Sequence, residues 1–233
     1  MTEAEATGKI GTAAYRVPLL RRLLRVFLRA LFQVIFHIIC RIEIIGRENI
    51  PESGGYMIAH NHISLYEPPL VLAFWPQMPE AIAGSDVFER PGIGLLVRAY
   101  GAIPVRRGEY DRKVIDTMMA ALKAGKPLSI APEGGRSHET SLRQAQAGVA
   151  YMIDRAGVPV LPVGITGTTK NMLRRALKGQ RPQLLMQIGQ PFLPPPIAGK
   201  GEERRQARQD NADLVMRKIA ELVPEDYRGI YAN

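Results

Sequence analysis

Cysteine is nearly missing from this chain: Cys40 is the single thiol in 233 residues. No intramolecular disulfide can form, which excludes a disulfide-stapled secreted domain and fits a reducing compartment. Acidic residues are also short, 22 Asp and Glu against 31 Lys and Arg, leaving a net charge of +9. Such an excess favours an anionic partner: nucleic acid, an acidic membrane surface or a phosphorylated substrate. A long apolar run is absent. The charge-free section at residues 30–40 holds eleven residues, roughly 16 Å of helix against a hydrocarbon core of about 30 Å. A clean membrane span is therefore not expected. The opening residues, MTEAEATG, carry two glutamates and do not resemble the basic start of a signal peptide. There is no internal repeat, no zinc-finger, helix-turn-helix or RNA-recognition pattern, and no G-x-S-x-G nucleophile elbow. HNH at 60–62 lacks the cysteine or acidic surroundings of a metal-dependent nuclease. Nucleic acid is thus not the expected partner.

What is present begins with a basic amphipathic segment. Arg21, Arg25 and Arg29 recur at helical spacing, and Leu20, Leu23, Leu24, Phe27, Leu28 and Leu31 fill the complementary positions. Pro18 is placed to open this helix. Two settings suit it: lying in a membrane interface with its arginines among lipid phosphates, or packing on the protein's own core with the arginines solvated. The length of the hydrophobic stretch and its aromatic residues favour the interface. Residues 1–40 are accordingly expected to be a tail and membrane-associating helix, and residues 41–233 the main domain.

Beyond Cys40, strand-like and helix-like stretches alternate. RIEIIG, GGYMIAH, EAIAGS, AIPV, PLSIA, VPVLPVGI and QLLMQIGQPF read as strands. PPLVLAFW, GIGLLVRAY, DRKVIDTMMAALKAG and QAGVAYMIDRAG read as helices, and EERRQARQDNADLVMRKIAELV as one helix or two. The alternation predicts an α/β fold with a largely parallel central sheet flanked by helices.

Ligand sites in such sheets gather beyond the carboxyl ends of strands. Three charged loops follow predicted strands here: HNHISLYE, RRGEYDR and PEGGRSHE. His62 is a candidate general base, because imidazole ionises near neutral pH. Glu67, five residues on, would lie about 140° away around a continuous helix, so the two meet only if the backbone turns. The prolines at 68 and 69 predict that turn, with Glu67 at a helix start and able to orient the imidazole. In the third loop Gly134 and Gly135 allow close backbone approach, and Arg136 offers a planar fork for phosphate or carboxylate. Arg106 and Arg107 could add a second anion clamp. A base beside an anion clamp fits transfer of a group to an alcohol carried by a phosphorylated molecule.

These residues resemble the glycerolipid acyltransferases of the PlsC type, the 1-acyl-glycerol-3-phosphate acyltransferase group. NHISLYEP is similar to the family's Asn-His, four-residue gap, Asp-Pro motif; GAIPVRR, APEGGRS and VPVLPVGI are similar to its second, third and fourth motifs. Order and spacing agree over roughly residues 41–190. The resemblance implies acyl transfer from a thioester, acyl-CoA or acyl carrier protein, to a hydroxyl of a lysophospholipid such as 1-acyl-glycerol-3-phosphate. It implies His62 as base, Glu67 as its orienter, and Arg107, Glu133, Gly134 and Arg136 around the acceptor phosphate, to which the reading of the loops adds Arg106 and Gly135 as substrate-binding candidates. It calls for no cofactor beyond the thioester co-substrate, no metal and no covalent acyl-enzyme. The expected location is the cytoplasmic face of an anionic membrane, peripheral or monotopic.

The chain departs from the family pattern in three places. Glu67 stands for Asp, Ala131 and Gly135 stand for Phe and Thr, and AQAG at 145–148 stands where many members carry Phe-Lys-x-Gly, with Arg143 as a candidate replacement for that lysine. Two other readings stay open at this level: a non-catalytic lipid-binding protein on the same fold, and an acyl thioesterase.

Overall fold

The computed structural model describes residues 15–137 and 139–232; the reading of the first eight residues lies outside them. Seven strands form one sheet in the order β1-β7-β6-β2-β5-β3-β4. They are β1 (Arg41–Ile45), β2 (Met57–His60), β3 (Glu80–Gly84), β4 (Ile103–Val105), β5 (Leu128–Ile130), β6 (Val160–Thr166) and β7 (Gln183–Ile188). Neighbours run parallel except for the β6–β7 pair, which is antiparallel. The largely parallel sheet agrees with the sequence reading. Its central strand, Met-Ile-Ala-His, is buried on both faces, as helices covering both sides of a parallel sheet require.

Side chains alternate between two cores. Met57, Ala59, Leu128, Ile130 and Val160 point to the face covered by α4 (Arg112–Lys123), α5 (Ala147–Ala156) and α7 (Gly201–Ala220). Tyr56, Ile58, Leu161, Val163 and Ile165 point to the face covered by α1 (Leu19–Ile39) and α2 (Glu67–Phe74). A third cluster joins Leu28 of α1 to Tyr100 of α3 (Ile93–Tyr100). Local chemistry fixes the ends. Asp111 caps α4 by accepting from the N–H groups of Lys113 (2.9 Å) and Val114 (3.2 Å), and α3 stops at Gly101 in the left-handed region. The short helix α6 (Met172–Leu177) is not among the predicted elements. It buries only Met172 and Ala176, too few apolar positions to reveal a helical period. The C-terminal stretch forms one helix, α7.

Helix α1 is amphipathic, but its arginine stripe faces the protein. Arg25 is buried and forms a double hydrogen bond with buried Glu80, Nη1 to Oε1 at 2.8 Å and Nη2 to Oε2 at 2.6 Å. Its Nε donates to the Tyr100 carbonyl at 2.8 Å, and the guanidinium lies 4.6 Å from the centre of that residue's ring. Arg29 donates to the Pro76 carbonyl at 3.0 Å, and Arg21 lies against the backbone of Gly101. The expectation of arginines among lipid phosphates is therefore corrected for Arg25, which a carboxylate at the start of β3 draws inward, while Arg21 stays exposed. Leu28, grouped in the sequence reading with the positions complementary to the arginines, is buried. The outward face is apolar, with Leu20 70% exposed, Phe27 62% and Ile38 66%. Among the described residues no helix is long and apolar enough to cross a membrane.

Candidate active site

Five co-directional strands (β6, β2, β5, β3 and β4) end at one edge of the sheet. Chain order reverses around β2: the connection from β2 leads to β3 on one side, whereas that from β5 returns to β6 on the other. Such switch points open the crevices in which α/β proteins bind ligands. The loop leaving β2 carries His62.

Asn61 fastens this loop at its root. Its buried side chain donates to the Ile165 carbonyl (2.8 Å) and accepts from the Ile165 N–H (2.7 Å), tying the end of β2 to β6. His60 beside it is fully buried; burial lowers its pKa to about 4, so the ring is neutral near pH 7 and its Nδ1–H donates to the Asn61 carbonyl at 2.9 Å. The chain then turns, and α2 begins at Glu67. Prolines 68 and 69 fall within the first turn, where missing N–H groups cost no helical bond.

The turn brings His62 Nδ1 to 3.1 Å from Glu67 Oε2. Glu67 is completely buried. Burial alone would raise its pKa, yet it is lowered, because the hydrogen bond from His62, the charge that ring carries when protonated, and hydrogen bonds from Thr168 and Ser64 favour the carboxylate. An ionised carboxylate only accepts, so Nδ1 carries the proton and Nε2 is left with an open lone pair. Among the described residues Nε2 has no hydrogen-bond partner. Ser64 clasps Glu67 twice: its N–H lies 3.0 Å from both carboxylate oxygens and its hydroxyl donates at 2.8 Å. Ser64 Oγ in turn accepts from the Tyr66 N–H at 3.0 Å. The Thr168 hydroxyl, from the turn after β6, donates to Glu67 Oε1 at 2.5 Å. The Ser-x-x-Glu spacing of a capping box was the available signal for Ser64; nothing near Thr168 marks it in the sequence.

The third loop is bonded to the first, where the Ser137 N–H donates to the His62 carbonyl at 2.7 Å. Glu133 is buried, and its carboxylate accepts from the backbone N–H of His62 (2.8 Å) and of Arg143 (3.2 Å). It braces the loop rather than facing an anion. Gly134 has φ +68°, and an added Cβ would fall 2.4 Å from Gln146 Cγ; at Gly135 an added Cβ would meet Arg107 only at 3.5 Å, an ordinary contact. Glycine is thus required at 134 alone. Arg107 donates to the Gly134 carbonyl (2.6 Å) and to Asp86 (2.9 Å), bridging three loops. Arg106 projects outward and pairs with Glu109 at 3.5 Å. Arg143 donates to the Gly135 carbonyl at 2.7 Å and its Nε lies 3.7 Å from Glu133. Arg136 lines a cavity of about 260 Å³ together with Ser64, Tyr66, Ser137 and Lys170. The structure therefore gathers His62, Glu67, Glu133, Gly134, Gly135, Arg107 and Arg136 into one region and leaves Arg106 at its rim. Lys170 and Thr168, on the turn after β6, are the additions. Among the described residues no cluster of potential ligands suited to a metal ion occurs.

The family model described as Acyltransferase matches residues 41–166, more than half of the chain. The chain belongs to the Acyltransferase family. Its start at Arg41 leaves α1 outside the match. A chloroplastic 1-acyl-sn-glycerol-3-phosphate acyltransferase of Brassica napus is 30% identical over 134 residues, covering 56% of this chain and 38% of that protein. A 1-acyl-sn-glycerol-3-phosphate acyltransferase of Borreliella burgdorferi is 24% identical over 139 residues, 59% of this chain and 56% of that one. A lyso-ornithine lipid O-acyltransferase of Pseudomonas aeruginosa is 29% identical over 166 residues, 64% and 63%. The chain thus spans between about a third and two thirds of the length of these relatives. The crystal structure of the 1-acyl-sn-glycerophosphate acyltransferase PlsC of Thermotoga maritima superposes with a TM-score of 0.59 at 23% identity, covering 84% of this chain and 79% of that one. That likeness shows the fold.

Proposed function

We propose that the protein transfers a fatty acyl group from an acyl thioester, of CoA or acyl carrier protein, to a hydroxyl of a lysophospholipid such as 1-acyl-glycerol-3-phosphate. The observation that carries this reading is the His62–Glu67 pair, with Nδ1 held by a buried carboxylate and Nε2 open. Nε2 takes the proton of the acceptor hydroxyl as its oxygen attacks the thioester carbonyl. The carbon–sulfur bond breaks, the new ester forms, and the imidazolium returns the proton to the departing thiolate. Glu67 keeps the imidazole in the required tautomer and stabilises its charged form, as the carboxylate of a hydrolytic triad does. No cofactor beyond the thioester takes part in this scheme. The names of three relatives, two 1-acyl-sn-glycerol-3-phosphate acyltransferases and a lyso-ornithine lipid O-acyltransferase, support the substrate class.

The apolar outward face of α1 and the net positive charge support a peripheral location on the cytoplasmic face of a membrane, where the leaflet is negatively charged.

Mass spectrometry of products from acyl-CoA and acyl carrier protein thioesters with a panel of lysolipids tests the reaction. Wild-type protein should form the diacyl product, and His62→Ala should lose about 10²–10⁴-fold in rate while keeping its circular dichroism. Equal activity in His62→Ala would overturn the mechanism. Release of free acid at the same rate without acceptor would identify a thioesterase instead.

A further inference from the structure

We propose that Lys170, which lies in none of the four motifs, joins Arg136 as the pair of cations that holds the acceptor's phosphate. The inference rests on the acyl-transfer reading and names a residue that reading does not require.

The cations around the dyad differ in what each is already holding. Arg107 is taken up by Asp86 and the Gly134 carbonyl. Arg143 is taken up by the Gly135 carbonyl and Glu133, and Arg106 stands at the rim against Glu109. These three brace loops or lie outside. Arg136 and Lys170 are different. Neither has an acidic partner within salt-bridge distance nor a side-chain hydrogen bond among the described residues, and both line the same cavity of about 260 Å³.

The other walls of that cavity suit one end of a lysolipid. Ile63, Leu65 and Tyr66 supply apolar surface, and Ser137 adds a hydroxyl beside the two cations. The cavity borders the dyad: its lining starts at Ile63, the residue after His62, and includes Ser64, whose hydroxyl donates to Glu67 at 2.8 Å. Lys170 is also tied to the dyad through the backbone. It stands two residues beyond Thr168, whose hydroxyl is bonded to Glu67. The same turn therefore positions the carboxylate of the dyad and presents the ammonium. This arrangement accounts for the absent lysine in AQAG at 145–148: the ammonium comes from another loop. Arg136 supplies a fork for two phosphate oxygens and Lys170 a mobile point charge for the third.

A phosphate could reach this cavity from either substrate, the acceptor's head group or the phosphates of CoA. Binding measured by calorimetry separates them without any turnover, using dodecyl phosphate below its micelle concentration as the acceptor probe and free CoA as the donor probe. Lys170→Met and Arg136→Met should each weaken dodecyl phosphate about tenfold or more and leave CoA unchanged. Lys170→Arg should restore much of the binding. Lys178→Met, removing an exposed cation nearby in the sequence, should have no effect. Unchanged dodecyl phosphate affinity in Lys170→Met would overturn the proposal, as would a loss confined to CoA or an equal loss in Lys178→Met. The acyl-transfer reading fails separately, if wild-type protein binds the probe yet forms no product with any thioester and lysolipid. In the kinetic arm, Lys170→Met should raise KM for a phosphate-bearing lysolipid and leave kcat largely intact; a fall in kcat with KM unchanged would also overturn it.

Discussion

Glu133, bonded to the His62 backbone N–H, and Glu67, bonded to its imidazole, give stability opposite dependences on pH. Burial raises the Glu133 carboxyl from its usual 4.5 to about 7, against the pull of its two backbone N–H donors. Between those values the folded chain holds a proton that the unfolded chain has released. Stability therefore falls as pH rises from about 4.5 to about 7, by at most about 3 kcal/mol from this group. Glu67 is shifted down, so its contribution is present above the ordinary carboxylate range and is lost as pH falls through its lowered value. Urea unfolding at pH 5 and pH 8 checks the first effect. Glu133→Gln, which keeps one acceptor for the His62 N–H, should lose less stability than wild type between those pH values. Equal changes in the two proteins would rule it out. Thr168 offers a second measurement at this scale. Thr168→Val removes one donor from a buried carboxylate, which should cost about 1–3 kcal/mol and lower kcat more than it alters KM; a fall in stability with kcat intact would leave Thr168 a purely structural role.

Among the elements, α1 and α2 show what the sequence could disclose. The prolines at 68 and 69 marked the start of α2, and the turn they imposed was enough to infer that His62 and Glu67 meet. The helical period of Arg21, Arg25 and Arg29 disclosed α1 and its two faces. It could not say which face turns inward, because that depends on Glu80, 55 residues away in the chain. Thr168 and Lys170 were hidden for the same reason: the β6–α6 turn becomes part of the site only when β6 pairs beside β2. Glu133 was legible as a charged residue in the right loop, but its engagement by two backbone N–H groups depends on how the loops stack. The buried pair also makes a prediction for α1. Arg25→Met strands the Glu80 carboxylate and should cost about 3–5 kcal/mol in chemical denaturation, whereas the double variant Arg25→Met/Glu80→Met should recover a large part of that loss. A double variant no more stable than the single one would show that the pair is not the source.

The whole molecule converges on one edge of the sheet. Loops from five parallel strands meet there, and the C-terminal turns close over them. The Tyr227 carbonyl accepts from the Leu142 N–H at 2.8 Å, and its hydroxyl accepts from the Gly167 N–H at 3.1 Å. One residue near the chain's end thus steadies both the third loop and the turn that carries Thr168 and Lys170. On another side, α1 offers solvent an apolar surface that the protein leaves uncovered. Phe27→Glu should reduce co-sedimentation with anionic vesicles by about tenfold or more, given the roughly 1.5–3 kcal/mol of burying such a side chain, with helix content unchanged. Full retention on vesicles would show that α1 is not the membrane contact.

The inward arginine stripe also makes the attachment of α1 readable by a protease. Trypsin needs an extended stretch of backbone around its target bond, and the Arg25 bond lies in a helix whose side chain is locked to Glu80. Arg16, ahead of the helix, is open to solvent. While α1 stays docked, limited digestion should trim the chain before the helix and spare Arg25. A fragment beginning at Val26 would then report that the helix had lifted away from the sheet.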